Sequence, residues 1–166
     1  IELRPINLPM ECDYDLVIVA YQVWFLSPPQ VLSSFLRSTD AARLLSDKPV
    51  ITVIACRNMW LMAQEIVKER LAALGAKLTD NVVLVDSAHS AATFISTPMW
   101  MLTGRRGPFL GGLVPAAGVS DEEIAAATRF GRAIRTRLCE FDANHPRPLL
   151  TGLGAVRVNE RLIASE

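Results

Sequence analysis

Cysteine and histidine are scarce in this chain, with 3 and 2 among 166 residues. Cys12, Cys56 and Cys139 stand far apart, are odd in number and form no C-x-x-C pair. That pattern argues against a disulfide scaffold and fits a reducing cytoplasm. With His89 and His145 as the sole imidazoles, no metal-ligand spacing exists and no metal is expected. Charge of one sign is lacking too, since 17 basic and 17 acidic residues cancel. No electrostatic footprint for nucleic acid is therefore present. No apolar run reaches the roughly 18 residues of a membrane-spanning helix. The opening Ile1-Glu2-Leu3-Arg4 lacks the basic and apolar regions of a signal peptide, and it lacks a methionine, so the chain reads as a processed or truncated piece.

What is present is apolar and periodic. Hydrophobic residues make up 51% of the chain, and its length suits one compact domain. Leu16 to Tyr21 is a β-branched run without alternation, the pattern of a strand buried on both faces of a parallel sheet. Pro49 to Ala55 repeats that pattern, with proline at its first residue, and Asn81 to Asp86 is a third strand. Ile1 to Ile6 alternates weakly and could add a short strand. Between them, Pro28-Pro29 opens a helix through Val31, Leu32, Phe35 and Leu36, followed by a helical piece over Asp40 to Leu45. Met59 to Leu74 reads as a helix capped by Asn58 and stopped by Gly75, with Met59, Met62, Ile66, Val67, Leu71 and Leu74 as its apolar stripe. Ser120-Asp121-Glu122-Glu123 is a capping box for a last long helix through Ile124, Ala127, Phe130, Ile134, Leu138 and Phe141. Strands separated by helices imply right-handed crossovers.

Residues 87–119 break this rhythm, and a structureless connection of that length is unusual, so the segment should hold structure of its own. Ala91 to Leu102 is a candidate helix interrupted at Thr97-Pro98. The stretch from Phe94 to Val114, which includes Arg105 and Arg106, is core, a lid, an apolar pocket wall, a dimer contact or a membrane-surface patch.

In open α/β folds the ligand sits outside the carboxyl ends of the strands. The loops Tyr21–Pro29 and Cys56–Trp60 therefore read as two walls of one crevice, with Ser87–His89 contributing. Trp24 and Phe25 can stack on a flat ring or cap the core, and Trp60 can line the crevice or pack inward. Arg57 can pair with an anion or remain a solvated arginine; Asn58 is a helix cap or a ligand contact; Gln22 offers its amide to a heterocycle edge. Cys56, between a strand end and a helix start, has the setting of a low-pKa acyl-carrying thiol or of a small buried side chain. Asp86, Ser87 and His89 hold the letters of a hydrolase triad but are too crowded to make its relay. Arg129, Arg132, Arg135 and Arg137 make the last helix basic on a face that reads as solvated.

Tyr14-Asp15-Leu16-Val17-Ile18-Val19-Ala20, followed by Val23-Trp24 and Ser27-Pro28-Pro29, resembles the third strand and following loop of flavodoxin-like proteins. Extended through Tyr21-Gln22-Val23-Trp24-Phe25-Leu26-Ser27-Pro28 and Val53-Ile54-Ala55-Cys56-Arg57-Asn58-Met59-Trp60, the string is similar to the flavodoxin-fold family of dialkylresorcinol-condensing enzymes. The likeness runs from about Asp13 to Phe141 and returns at Gly152-Leu153-Gly154-Ala155-Val156. It implies a three-layer αβα sandwich over residues 1–141, with 87–119 as an insertion and 142–166 as an extension. It also implies FMN held by three loops, of which two match here. Those two would set Tyr21, Gln22, Val23, Trp24, Phe25, Ser27, Cys56, Arg57, Asn58 and Trp60 against the cofactor. The first strand and its phosphate loop have no counterpart. In the strand order 2-1-3-4-5 the absent strand belongs between Ile1–Ile6 and Leu16–Tyr21, so a gap in the sheet and a fragment of a longer reading frame are expected.

The function this implies is that of an FMN-binding, oxidoreductase-type protein of aromatic-lipid or polyketide-like metabolism. The flavin carries the redox step there, so no catalytic side chain is required, and no condensing chemistry is visible in these residues. The alternative is a flavin-free binding module of the same fold that holds an apolar chain or partner through residues 94–114. Expected partners are a small-molecule or acyl-chain substrate and, through a dimer contact, a second copy. Neither nucleic acid nor a transmembrane segment is expected, and the location is cytoplasmic.

Overall fold

Parallel pairing of the apolar runs organises the chain in a computed structural model, which describes residues 3–4, 13–23, 26–57, 59–86, 90–140, 142 and 147–156. Strands β1 (Val17–Gln22), β2 (Pro49–Cys56) and β3 (Lys77–Val85) form a sheet in the order β1-β2-β3. Both pairs are parallel, with Ile18 opposite Ile51 and Val53 opposite Val82. Helices α1 (Gln30–Phe35) and α2 (Thr39–Leu45) make the first crossover, and α3 (Leu61–Ala73) makes the second. Then come α4 (Ser90–Thr103), α5 (Asp121–Ala126) and α6 (Thr128–Arg137).

A sheet that grows in one direction through right-handed crossovers puts both connections on one face. That face is the larger core, where Val19, Tyr21, Val50, Ile54 and Cys56 meet Leu32, Leu45, Trp60, Val67 and Leu71 from the crossover helices. Full burial of each large aliphatic side chain contributes about 1.5–3 kcal/mol. The opposite face must be covered by later chain. Phe130 of α6 and Leu149 and Leu150 pack there on Ile51 and Val82. This cover reaches β2 and β3 but falls short of β1, whose Ile18 remains 53% exposed on the same face as buried Ile51.

Several elements differ from the sequence reading. β3 begins at Lys77 rather than Asn81, because Lys77 and Leu78 pair with Pro49 and Val50 at the start of β2. α3 starts at Leu61 and buries Ala63, Gln64, Val67 and Leu71; Met62 is exposed and Ile66 half-buried. The expected cap, Asn58, lies outside the described residues. The last long helix is divided at Ala127 into α5 and α6, and Ile124 is exposed. Of the expected strand Ile1–Ile6, Leu3 and Arg4 are in no strand and the rest lies outside the described residues.

Arg132 and Arg135 of α6 are exposed, as the sequence suggested, but Arg129 and Arg137 do more than face solvent. Arg129 donates to the carbonyl of Leu153 at 3.4 Å and stacks 4.2 Å from the Phe130 ring centroid. Arg137 donates to the carbonyl of Leu149. Asp80 completes the dock by accepting from the amides of Leu149 at 2.6 Å and Leu150 at 3.1 Å. Further on, Ala155 accepts from the Val83 amide at 2.8 Å, so the tail runs beside β3.

Candidate functional site

The strands end level at their carboxyl edge. The Val23 amide donates to Ala55 at 3.2 Å, and the Asp86 amide donates to Cys56 at 2.9 Å. Gln22 lies in register with Ala55 on the sheet face turned away from α3, and Arg57 follows the end of β2. Gln22 and Ser27 are exposed here, while Val23 and Arg57 are half-buried. Tyr21, Cys56 and Trp60 point the other way and are buried in the core under α3. The loop residues thus divide into the exposed polar pair Gln22 and Ser27, the half-buried Val23 and Arg57, and a buried set. Trp24, Phe25, Asn58, Ser87 and His89 lie outside the described residues.

Beneath the buried set runs a chain of hydrogen bonds that sequence reasoning missed. The Tyr21 hydroxyl donates to Gln64 Oε1 at 2.5 Å, Gln64 Nε2 donates to Thr52 Oγ1 at 3.0 Å, and Thr52 donates to Asn81 Oδ1 at 2.9 Å. It links all three strands to α3 in one direction. Burial pushes the Tyr21 phenol well above its usual pKa, and the neighbouring Cys56 adds to the rise. The phenol therefore stays protonated and able to donate. One signal was available: Thr52 is a lone hydroxyl within an otherwise apolar strand, and Gln64 falls one helical turn after Trp60.

The segment after β3 is fastened to the same edge. Asp86 accepts from the Gly118 amide at 3.0 Å. Arg106 lies 6.0 Å from the Trp100 ring centroid, donates to the Ala117 carbonyl at 3.2 Å, and pairs with Asp121 at 3.0 Å. The expected helix over Ala91–Leu102 is present as α4 and continues through Pro98.

A cleft of about 940 Å³ opens elsewhere, at the amino ends of β1 and β2, between Leu16, Ile18 and Pro49 on one side and Gly131, Ile134 and Leu138 on the other. It is large enough for a small ligand. It lies at the opposite end of the sheet from the polar groups of the carboxyl edge, and its rim is the exposed Lys48–Asp13 ion pair. We place the candidate site at the carboxyl edge, where the fold concentrates functional groups. Among the described residues no cluster of metal-ligating side chains exists, and no helix is long and apolar enough to cross a membrane.

The chain is thus a mixed α/β protein with an open, three-stranded parallel sheet. Comparison with protein-family models, curated proteins and solved structures finds no match.

Proposed function

We propose that the chain is a flavodoxin-like protein of oxidoreductase type, holding FMN at the carboxyl edge of β1 and β2, as its resemblance to the dialkylresorcinol-condensing-enzyme family of aromatic-lipid biosynthesis implies. The observation that carries this reading is the exposed Gln22 at the end of β1, with the half-buried Arg57 just past the end of the adjacent parallel strand β2. An amide and a guanidinium there suit the oxygen- and nitrogen-bearing edge of a heterocycle. The fit is partial. Among the described residues neither aromatic side chain of the two loops offers a ring face, because Tyr21 and Trp60 are buried, so stacking falls to Trp24 or Phe25. Bound FMN supplies the electron transfer; the chain's part is to hold the ring edge through Gln22 and Arg57 and to keep its supporting core rigid.

The test is a visible and fluorescence titration of the protein with FMN. Quenched flavin emission, with affinity reduced about two- to tenfold in Trp24→Ala, supports the assignment. A colourless protein that leaves added FMN emission unchanged refutes it.

A second reading, a flavin-free module that holds an apolar chain or partner through residues 94–114, is favoured by a different observation. Met101, Leu102, Leu110 and Leu113 are all strongly exposed.

A further inference from the structure

Residues 106–117 form a narrow hairpin. The Ala117 amide donates to the Arg106 carbonyl at 2.8 Å, and Phe109 and Val114 exchange amide-to-carbonyl bonds at 2.9 and 3.2 Å. Its base is closed by Gly107, where an added Cβ would meet the Phe109 ring at 2.9 Å. Its tip is Leu110-Gly111-Gly112-Leu113, with Leu110 64% and Leu113 85% exposed. Leu110 also holds a φ of 51°, a left-handed conformation that glycine or asparagine adopts far more readily than leucine. Near the base, the end of α4 exposes Met101 and Leu102, the latter at 87%.

We propose that this hairpin tip and the end of α4 form a peripheral contact for an anionic phospholipid surface. The charges of the segment choose among the occupants. From Ser87 to Ser120 there is no acidic residue, while Arg105 and Arg106 sit between the two apolar protrusions. Arg106 is held at Asp121, and Arg105 is exposed. Arg106 is neutralised by Asp121, so the unpaired charge of the patch is Arg105. A second copy docked through the patch would bring two such arginine-bearing surfaces together across a two-fold axis, which repels. An acyl-chain pocket needs a concave wall, and a hairpin tip is convex. A bilayer interface satisfies both demands: apolar side chains enter the boundary between headgroups and acyl chains, Trp100 suits the interfacial level, and an exposed arginine meets lipid phosphate. The contact is peripheral, in keeping with the absence among the described residues of a helix able to span a bilayer.

This inference deepens the second reading above and rests on it. The test is co-sedimentation with vesicles of phosphatidylcholine alone and of phosphatidylcholine mixed with phosphatidylglycerol. Molecular mass is followed by light scattering and folding by circular dichroism. Wild-type protein should sediment with the phosphatidylglycerol vesicles and be released by salt. The double variant Leu110→Asn/Leu113→Ser changes exposed positions only and should keep its fold while its partition coefficient falls about a hundredfold. Arg105→Glu should lower it about tenfold. Failure to sediment with either vesicle overturns the membrane contact. A dimer that the double variant dissociates also overturns it, but leaves the partner-binding reading standing. A double variant that behaves like wild type in both measurements overturns the two together.

Discussion

Gln64 occupies a position on α3 that an apolar residue would fill in a simpler core, and its value lies in having a partner at each end. Tyr21→Phe removes the hydroxyl that satisfies Gln64 Oε1 and leaves that oxygen buried without its donor. The expected cost is about 1–3 kcal/mol in urea unfolding. Tyr21→Phe/Gln64→Met removes both partners and should cost less than the sum of the single variants, a coupling readable from a double-mutant cycle. Strict additivity would refute the pairing. Asp80 gives a second residue-scale prediction. Its carboxyl pKa is raised, chiefly by burial, although the Leu149 and Leu150 amides and nearby Arg137 pull the other way. A raised folded pKa means that the native state keeps its proton where the unfolded chain, at about 3.9, has lost it. Asp80 therefore lowers stability as pH rises from the ordinary carboxylate value through the higher folded value. The stability of wild type relative to Asp80→Asn should fall across that window, measured by urea unfolding at successive pH values, and a difference that rises would reverse the assignment.

At the scale of elements, local signals decided the ends and tertiary contacts decided the faces. Ser120 accepts from the Glu123 amide at 3.2 Å, so Ser120→Ala should cost about 1 kcal/mol and fray α5. Thermal unfolding followed by circular dichroism checks it; an unchanged midpoint would mean that α5 adds nothing to the cooperative unit. That cap was legible, as was Gly75, whose φ of 75° ends α3 in the expected way. The parallel pairing was legible because Val17–Tyr21 and Pro49–Ala55 admit no alternation, but the burial on both faces expected of both holds for β2 and fails for β1, which buries Val19 and Tyr21 and exposes Ile18, Ala20 and Gln22. The inward face of α3 was not: periodicity chose Met62 and Ile66, whereas the burial of Ala63 and Gln64 depends on Tyr21 and Thr52, residues distant in sequence. The start of β3 escaped for the same reason, since Lys77 and Thr79 are strand residues only by virtue of β2 beside them. The sequence placed the two loops after β1 and β2, but which of their residues face the core depends on the pleat and on α3, which turn Tyr21, Cys56 and Trp60 inward while Gln22 stays exposed and Arg57 half-buried.

For the whole molecule, the direction of winding has a consequence that residue-level reading misses. Two same-handed crossovers fill one face of the sheet, so the other face depends on α6 and the tail, which are anchored at β3 through Asp80 and Val83. Cover anchored at one edge thins toward the other, and β1 is that other edge. Ile18 and Ile51 make a matched pair for measuring this, being the same residue type, on the same face, in register on adjacent strands. Ile51 is fully buried and Ile18 is 53% exposed. Ile51→Ala should therefore cost about 2–5 kcal/mol in urea unfolding, the range for an isoleucine removed from a packed core. Ile18→Ala should cost less than about 1 kcal/mol, because little packing is lost and no cavity forms. Equal costs would mean that the face of β1 is covered as fully as that of β2. The expected inequality would identify β1, next to the cleft under α6, as the side on which this sheet can accept further structure.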